Sequence, residues 1–266
     1  MTSKSIALIV LGLGLGGVFA LVPPSVVSPD PGAPPASAVP AGEPISTGAT
    51  TPGVAEIDRP ELALGRTEVY DYDPPVPGTY TLPVIEPAGD GEVLVADRGR
   101  RQLRDVLAGR ISLVSFIYTS CADPRACPLA TGVLYRIHKL SARDARLTDS
   151  LRLVTFSFDP ETDTPSVMAR YGRGLAPDGQ GAEWLFLTTA GQEQLAPILA
   201  SYGQRVDRKK DPADPTGALY HVLRVYLVDR AGNIRNIYSF GQLDPRLVLA
   251  DVRTLLLEEE AEGASR

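Results

Sequence analysis

The chain contains two cysteines, Cys121 and Cys127, and both lie in the segment FIYTSCADPRACPLATGVL. Five residues separate them, and a loop of that length can fold back far enough for the two sulfurs to meet. Cysteine thiolates form structural disulfides, exchange disulfides with other thiols, and bind soft metal ions. The pair therefore predicts one of three kinds of site: a structural disulfide, a dithiol–disulfide exchange centre, or part of a metal site.

The spacing of the cysteines and the length of the chain favour these three hypotheses to different degrees. A disulfide across so short a loop gives little entropic stabilisation, and 266 residues are enough to bury a core without it. Exchange enzymes usually keep two residues between their cysteines, although a wider spacing does not exclude the same chemistry. Two soft thiolates suit copper better than hard cations. We therefore favour a metal site, which needs a third ligand, and an imidazole is the expected type.

Apolar patterns around the cysteines predict alternating strands and helices. Continuous apolar, β-branched runs predict buried strands at GRISLVSFIYTS, LRLVTFSF and EWLFLTT. A helix is predicted after the cysteine loop because Pro128 suits a first turn and apolar residues follow at helical spacing: Leu129, Val133, Leu134, Ile137 and Leu140. Further helices are predicted at PSVMARYGRGL, AGQEQLAPILASYG and DPRLVLADVRTLLLEEE, and RAGN is typical of a hairpin turn.

This order of elements predicts an α/β fold, a thioredoxin-like central mixed sheet flanked by helices, over residues 66–258. The cysteines fall where the first buried strand leads into a helix, which is the reactive position of such a sheet. Cys127 lies at or just before the start of that helix, where free N–H groups and the helix dipole favour a thiolate.

The third ligand must come from His138 or His221, because the chain has two histidines. His138 lies about three turns into the predicted helix, too far to return to the cysteine loop, and we interpret it as a residue of the surface or of a helix face. His221 begins the predicted buried strand YHVLRVYLVD. In a thioredoxin-like core the loop before that strand lies beside the cysteines, so His221 is the predicted ligand.

Three segments together resemble the Sco/SenC family of copper-binding thioredoxin-fold proteins: SFIYTSC…CPLA, LVTFSFDPETDTP and YHVLRVYLVDRAGNI. They occur in the family's order and at similar separations, and the resemblance covers about residues 82–257. It implies copper, as Cu(I) or Cu(II), bound by Cys121, Cys127 and His221. The acidic residue of the family's DP…DTP turn corresponds to Asp159, which we expect near the site rather than as a certain ligand.

The resemblance also implies a function, a partner and a location. Family members help assemble the binuclear copper centre of cytochrome c oxidase, either by carrying copper or by reducing the cysteines that receive it. The implied protein is a copper metallochaperone whose partner is the copper-centre subunit of the oxidase or another copper chaperone. Two alternatives stay open: a thiol-disulfide oxidoreductase that uses Cys121 and Cys127 as its redox pair, and an exported domain whose disulfide simply stays closed.

One feature departs from the family pattern, because the family's usual pair has three residues between its cysteines. Here residues 122–126 intervene, and Asp123 within them offers an oxygen that we expect to be solvated. A longer loop costs little free energy, so both sulfurs can still reach one ion. The expected consequence is a change in copper affinity or redox potential.

The N-terminal part of the chain predicts export. Residues 1–23 contain a nearly unbroken apolar run, about as long as the core of a signal peptide or a short membrane anchor. Residues 24–65, rich in Pro, Ala and Gly, predict an extended tether, and residues 259–266 a flexible tail. We therefore expect a membrane-anchored or secreted protein whose domain lies in the periplasm. A net charge of −6 gives no basic surface for nucleic acid.

Overall fold

The computed structural model describes residues 71–176, 180–211 and 213–264. Its strands are β1 (Glu86–Pro87), β2 (Glu92–Val95), β3 (Gly99–Gln102), β4 (Ile111–Ile117), β5 (Leu151–Ser157), β6 (Glu183–Thr188), β7 (Val206–Arg208), β8 (Leu219–His221), β9 (Val225–Val228) and β10 (Asn233–Tyr238). Its helices are α1 (Leu103–Leu107), α2 (Cys127–Ser141), α3 (Ala145–Ser150), α4 (Pro165–Arg173), α5 (Gln192–Ser201) and α6 (Pro245–Ala264). Both the apolar run and the tether predicted near the N-terminus lie outside the described residues.

A mixed sheet forms the centre of the fold. Its strand order is β1-β10-β9-β4-β5-β6-β2-β3. Strands β4, β5 and β6 run parallel to one another, whereas β9 is antiparallel to β4. Every residue of β4 is buried, as its continuous apolar sequence predicts. The predicted α/β class, a thioredoxin-like central mixed sheet with flanking helices, is confirmed.

The register of β4 and β5 places two loops side by side. The strands are parallel, and Ile117 at the end of β4 is paired with Ser157 at the end of β5. The N–H of Phe158 then donates a hydrogen bond to the Ile117 carbonyl oxygen (2.9 Å). The chain leaving β4 toward Cys121 therefore lies next to the chain leaving β5 toward Asp163.

Helix α2 starts at Cys127, with Pro128 in its first turn, as the sequence predicts. It packs against β4, β5 and α6, and its predicted apolar face is buried except for Leu129, which is half-buried. Helix α2 ends at Ser141, and a second helix, α3, begins at residue 145. Asp144 caps that helix by accepting hydrogen bonds from the N–H groups of Arg146 (3.0 Å) and Leu147 (3.2 Å).

The strand predicted over YHVLRVYLVD is divided in two. β8 pairs with β7 in a separate two-stranded sheet, and β9 belongs to the central sheet. The residues between β8 and β9 form hydrogen bonds with the segment after α5. Gln204 Nε2 donates to the Val222 carbonyl oxygen, and Arg224 Nη1 donates to the Gly203 carbonyl oxygen, both at 2.8 Å. His221 therefore ends a small hairpin and does not begin a strand of the central sheet.

Helix α6 continues to Ala264, past residue 258, where the sequence places the end of the domain. Two glutamates near that boundary hold the helix to β10 and to the turn before it. Glu258 pairs with Arg235 (2.7 Å) and Glu259 pairs with Arg230 (2.8 Å). Residues 259–264 of the predicted tail are therefore helical. Within the described residues, no helix combines the length and the apolar character that crossing a membrane requires.

Candidate metal centre

The two cysteine side chains meet that of His221, 100 residues after Cys121, where β4 and β5 end. The Sγ atoms of Cys121 and Cys127 and a ring nitrogen of His221 all lie within 4.8 Å of one another. His221 Nε2 is 3.4 Å from Cys127 Sγ and 3.8 Å from Cys121 Sγ. Sulfur and nitrogen ligands bind a first-row metal at about 2.0–2.3 Å, so ligand atoms at these separations fit around one ion. The structure therefore brings together the three residues that we predict as ligands.

The two cysteines are free thiols in different environments. Cys121 is half-buried in the turn after β4, whereas Cys127 is 3% exposed at the start of α2. A hydrogen bond from the Cys127 thiol lowers the pKa of Cys121, and the same bond together with burial raises the pKa of Cys127. The surroundings thus favour the thiolate form at Cys121, the more accessible sulfur, over that at Cys127.

The five residues between the cysteines form a turn of their own. The N–H of Ala126 donates to the Asp123 carbonyl oxygen, and the N–H of Arg125 donates to the Asp123 carboxylate, both at 3.0 Å. The Asp123 carboxylate therefore caps the turn, and among the described residues it is not part of the cluster of ligand atoms. This turn takes up the additional length of the loop while Cys121 and Cys127 stay together.

Aromatic packing orients the imidazole of His221. The ring centroid lies 5.0 Å from that of Phe158 and 5.8 Å, edge-on, from that of Tyr118. His221 Nδ1 is buried without a hydrogen-bond partner among the described residues. Metal-binding histidines usually donate from their second nitrogen. Here the two aromatic rings take over that orienting role and leave Nε2 directed at the sulfurs.

The loop from β7 to β8 packs on Tyr118 and so positions β8. The Thr216 carbonyl oxygen accepts hydrogen bonds from Tyr118 Oη (3.4 Å) and from the N–H of Ala122 in the cysteine loop (3.3 Å). The next residue, Gly217, has a φ of +105°, and a Cβ there would overlap Tyr118 Oη and lie 2.9 Å from Tyr118 Cζ. A glycine is therefore required where the histidine-bearing hairpin approaches the cysteine loop.

Two aspartates of the DPETDTP turn have different roles. The carbonyl oxygen of Asp159 accepts hydrogen bonds from the N–H groups of Thr162 (3.1 Å) and Asp163 (2.7 Å), and its carboxylate is not part of the described cluster of ligand atoms. Asp163, which the sequence analysis missed, is fully buried. Its carboxylate accepts from the Thr119 N–H (2.9 Å), the Thr119 hydroxyl and the Ser157 hydroxyl (2.6 Å). Asp163 thus joins the ends of β4 and β5. In the sequence, only the presence of a second aspartate in the DPETDTP turn pointed to this role.

His138 lies on the buried face of α2 and not on the surface. It is 4% exposed, its Nδ1 is 3.1 Å from the Ala182 carbonyl oxygen, and its ring packs against Trp184 at 5.6 Å. Burial lowers its pKa. These contacts give His138 a structural role, and it is not a member of the cluster around Cys121.

Comparisons with known proteins agree with this geometry. The model of the SCO1/SenC family matches residues 93–257. This chain belongs to the SCO1/SenC family. The SCO1 protein homolog of Bacillus subtilis (strain 168) is 24% identical to it over 158 residues, which are 59% of this chain and 76% of that protein.

Solved structures of the family share the fold. The structure of Arabidopsis thaliana ScoI with copper bound has a TM-score of 0.55 at 20% identity, and the match covers 64% of this chain and 98% of that one. A second similar structure is that of BsSco, a member of the Sco family of cytochrome c oxidase assembly proteins in which a disulfide switch has been identified. Its TM-score is 0.52 at 22% identity, and the match covers 66% of this chain and 98% of that one.

In this SCO1/SenC chain a cavity of about 470 Å³ opens beside the cysteines, between α2 and the C-terminal end of α4. Cys121 and Cys127 form part of its wall, whereas His221 does not. The imidazole and the cavity therefore contact different sides of the sulfur pair, and the cavity gives access to the sulfurs from outside.

Proposed function

We propose that this protein is a copper-binding metallochaperone for the assembly of the binuclear copper centre of cytochrome c oxidase. Copper is held by Cys121, Cys127 and His221. The observation that carries the proposal is the convergence of two sulfurs and one imidazole nitrogen within 4.8 Å. The similarity to ScoI with copper bound and to BsSco, an oxidase assembly protein, supports the choice of metal and of pathway.

The donor set suits a copper cargo. Two thiolates and an imidazole are soft and borderline ligands, which favour Cu(I) and Cu(II) over hard cations. Three protein ligands leave the ion short of a full set, so the sulfur of an acceptor protein can join before one of the chain's own sulfurs leaves. The half-buried position of Cys121 makes its sulfur the more accessible of the two.

The test is copper binding by the reduced full-length protein. Wild type is expected to bind one copper per chain and, with Cu(II), to show a visible sulfur-to-copper charge-transfer band. Cys121→Ser and His221→Ala are expected to lose both, whereas His138→Gln, which changes the other histidine, keeps them. Copper binding by the Cys121 and His221 variants at the wild-type level would contradict the proposal.

A second function, thiol-disulfide exchange, uses the same sulfurs. It is favoured by the free cysteines, by the lowered pKa of Cys121 and by the disulfide switch of BsSco. Cys121 attacks a partner disulfide and Cys127 resolves the mixed disulfide. Rapid reduction of a disulfide peptide by the copper-free protein supports this role, and a pair potential too high for such reduction contradicts it.

The proposed partner is the copper-centre subunit of the oxidase or another copper chaperone, met at a membrane surface. Residues 1–23 act as the signal peptide or anchor, and the domain works in the periplasm. Protease added to intact spheroplasts is expected to digest the domain. A domain that is protected until the cells are lysed would contradict this location.

A further inference from the structure

The cavity beside the cysteines differs from its surroundings in charge. Among the described residues, no Asp, Glu, Lys or Arg lines it. Apolar carbon dominates the wall, which includes Tyr118, Pro128, Tyr135, Tyr171 and Leu175. A second cavity, of about 480 Å³ beside α5, is by contrast lined by Asp159, Arg205 and Arg208. The cavity at the sulfurs is therefore suited to an uncharged occupant.

Most hydroxyl groups of the wall already have protein partners. Thr131 Oγ1 and Tyr171 Oη share a hydrogen bond of 2.8 Å, which joins α2 to α4. The Thr119 hydroxyl donates to Asp163, and Tyr118 Oη donates to the Thr216 carbonyl oxygen. An occupant consequently meets apolar carbon and the two sulfurs, which are the reactive groups of the wall.

Gly132 keeps the cavity open at a cost to helix α2. It lies in the interior of α2, where glycine is about 1 kcal/mol less favourable than alanine. It lines the cavity, and within the described part of the chain a Cβ at this position meets no atom within 4 Å. Neither the backbone nor a close neighbour requires a glycine here. The feature that glycine supplies is free space beside the sulfurs.

We propose that this cavity receives an uncharged, apolar segment of the acceptor protein that carries a cysteine, and that Gly132 keeps room for it. The inference rests on the proposed function, because that cysteine is the one that takes the copper. The uncharged, mostly apolar wall and its two sulfurs select this occupant over a charged segment, which would lose solvation without gaining a partner.

The transfer step balances without an oxidant or a reductant. The acceptor cysteine releases its proton as its sulfur bonds to Cu(I), and the bonds from copper to Cys121, Cys127 and His221 then break in turn as the ion passes to the acceptor. The proton that the acceptor cysteine releases is balanced by one that the freed cysteine thiolates take up once the ion has left. Copper remains Cu(I) throughout, so the cavity contributes only by holding the acceptor sulfur next to the ion.

A copper-free assay tests the docking separately from metal binding. Two blocked peptides, Gly-Leu-Cys-Leu-Gly and Gly-Ser-Cys-Ser-Gly, are each activated as mixed disulfides with thionitrobenzoate. Attack by the reduced protein releases coloured thionitrobenzoate and leaves the peptide on the protein; the second cysteine then displaces the peptide as a thiol and closes the disulfide. The initial rate of colour release measures how well each peptide brings its sulfur to the site.

The leucine peptide is expected to react about tenfold faster than the serine peptide with wild type, since burying part of one leucine side chain is worth about 1.4 kcal/mol. Gly132→Leu is expected to abolish this preference by slowing only the leucine peptide, and Gly132→Ala to reduce it. Gly263→Leu is the matched control, because Gly263 also lies in a helix with open space around its Cβ position and is outside the cavity lining.

Equal rates for the two peptides with wild type would overturn the inference. So would an unchanged preference in Gly132→Leu, or loss of the preference in the Gly263→Leu control. Copper stoichiometry is measured on the same variants, and Gly132→Leu is expected to bind one copper per chain. A wild-type protein that prefers the leucine peptide but binds no copper would contradict the proposed function and leave the docking intact.

Discussion

Replacing Gly217 by alanine should weaken copper binding although the residue is not a ligand. Gly217 lies two residues before the start of β8, and its φ of +105° disfavours any residue with a Cβ. The new methyl group would also overlap Tyr118 Oη, so the hairpin must move away from Tyr118 to accommodate it. His221 ends that hairpin, and its distance of 3.4 Å to Cys127 Sγ depends on the hairpin's position.

The expected loss of copper affinity follows from two sources of strain, the positive φ at residue 217 and the overlap of the new methyl group with Tyr118. A positive φ costs a residue with a Cβ about 1–2 kcal/mol, and crowding of one methyl group costs about 1–2 kcal/mol more. The metal-free protein can relieve both by displacing the hairpin, whereas the copper-bound protein must keep His221 at the sulfurs. The difference of about 2–4 kcal/mol corresponds to a Kd for copper that is about thirtyfold to a thousandfold higher.

The assay is competition for Cu(I) between the protein and a coloured chelator. Gly232→Ala is the matched control, since Gly232 also has a positive φ (+86°) but no described atom within 4 Å of a Cβ. That control should lower stability without changing the Kd. Tyr118→Phe combined with Gly217→Ala should recover part of the affinity, because the overlapping oxygen is gone. A Kd for Gly217→Ala within threefold of wild type, with the fold retained, would show that the position of the hairpin does not control copper binding.

Two further predictions concern stability. Asp163→Ala leaves two donors of the half-buried Thr119 and the hydroxyl of the buried Ser157 without an acceptor, and should lower the free energy of unfolding in urea by about 3 kcal/mol; a loss below 1 kcal/mol contradicts the role of Asp163. Although burial raises the pKa of Glu183, its pairs with Arg98 and Arg152 lower it more. A carboxylate with a lowered pKa stabilises the fold at pH values above its unfolded pKa, and this contribution is lost as the pH falls through its folded pKa. Glu183→Gln should therefore lose about 0.5–1 kcal/mol of stability at pH 7 and progressively less in acid. Thermal unfolding across pH measures the difference, and a loss that does not vary with pH speaks against the ion pairs.

The local pattern of the sequence predicts the parts of the site that local forces build. The apolar run that becomes β4 and the proline after Cys127 are sufficient to place one cysteine after a buried strand and the other at a helix start. His221 is predicted from the count of two histidines and from its position in a thioredoxin-like core, and the family resemblance implies the same residue. The convergence of these three side chains agrees with both lines of inference.

The parts that escaped prediction depend on long-range contacts. The break between β8 and β9 exists because Gln204, far back in the chain, hydrogen-bonds to the backbone of Val222, and apolar periodicity does not record such a bond. Asp159 and Asp163 occupy the same turn with the same chemistry. Which carboxylate points inward is decided by Thr119 at the end of a neighbouring strand, so the sequence of the turn alone cannot separate them.

The most direct test of the central claim is X-ray absorption at the copper edge of the Cu(I)-loaded protein. The account predicts two sulfur neighbours and one imidazole nitrogen around the ion in wild type. It predicts that His221→Ala and Cys121→Ser, treated in the same way, retain no such bound copper. A wild-type ion surrounded by oxygen and nitrogen alone, or a spectrum that His221→Ala leaves unchanged, would contradict it.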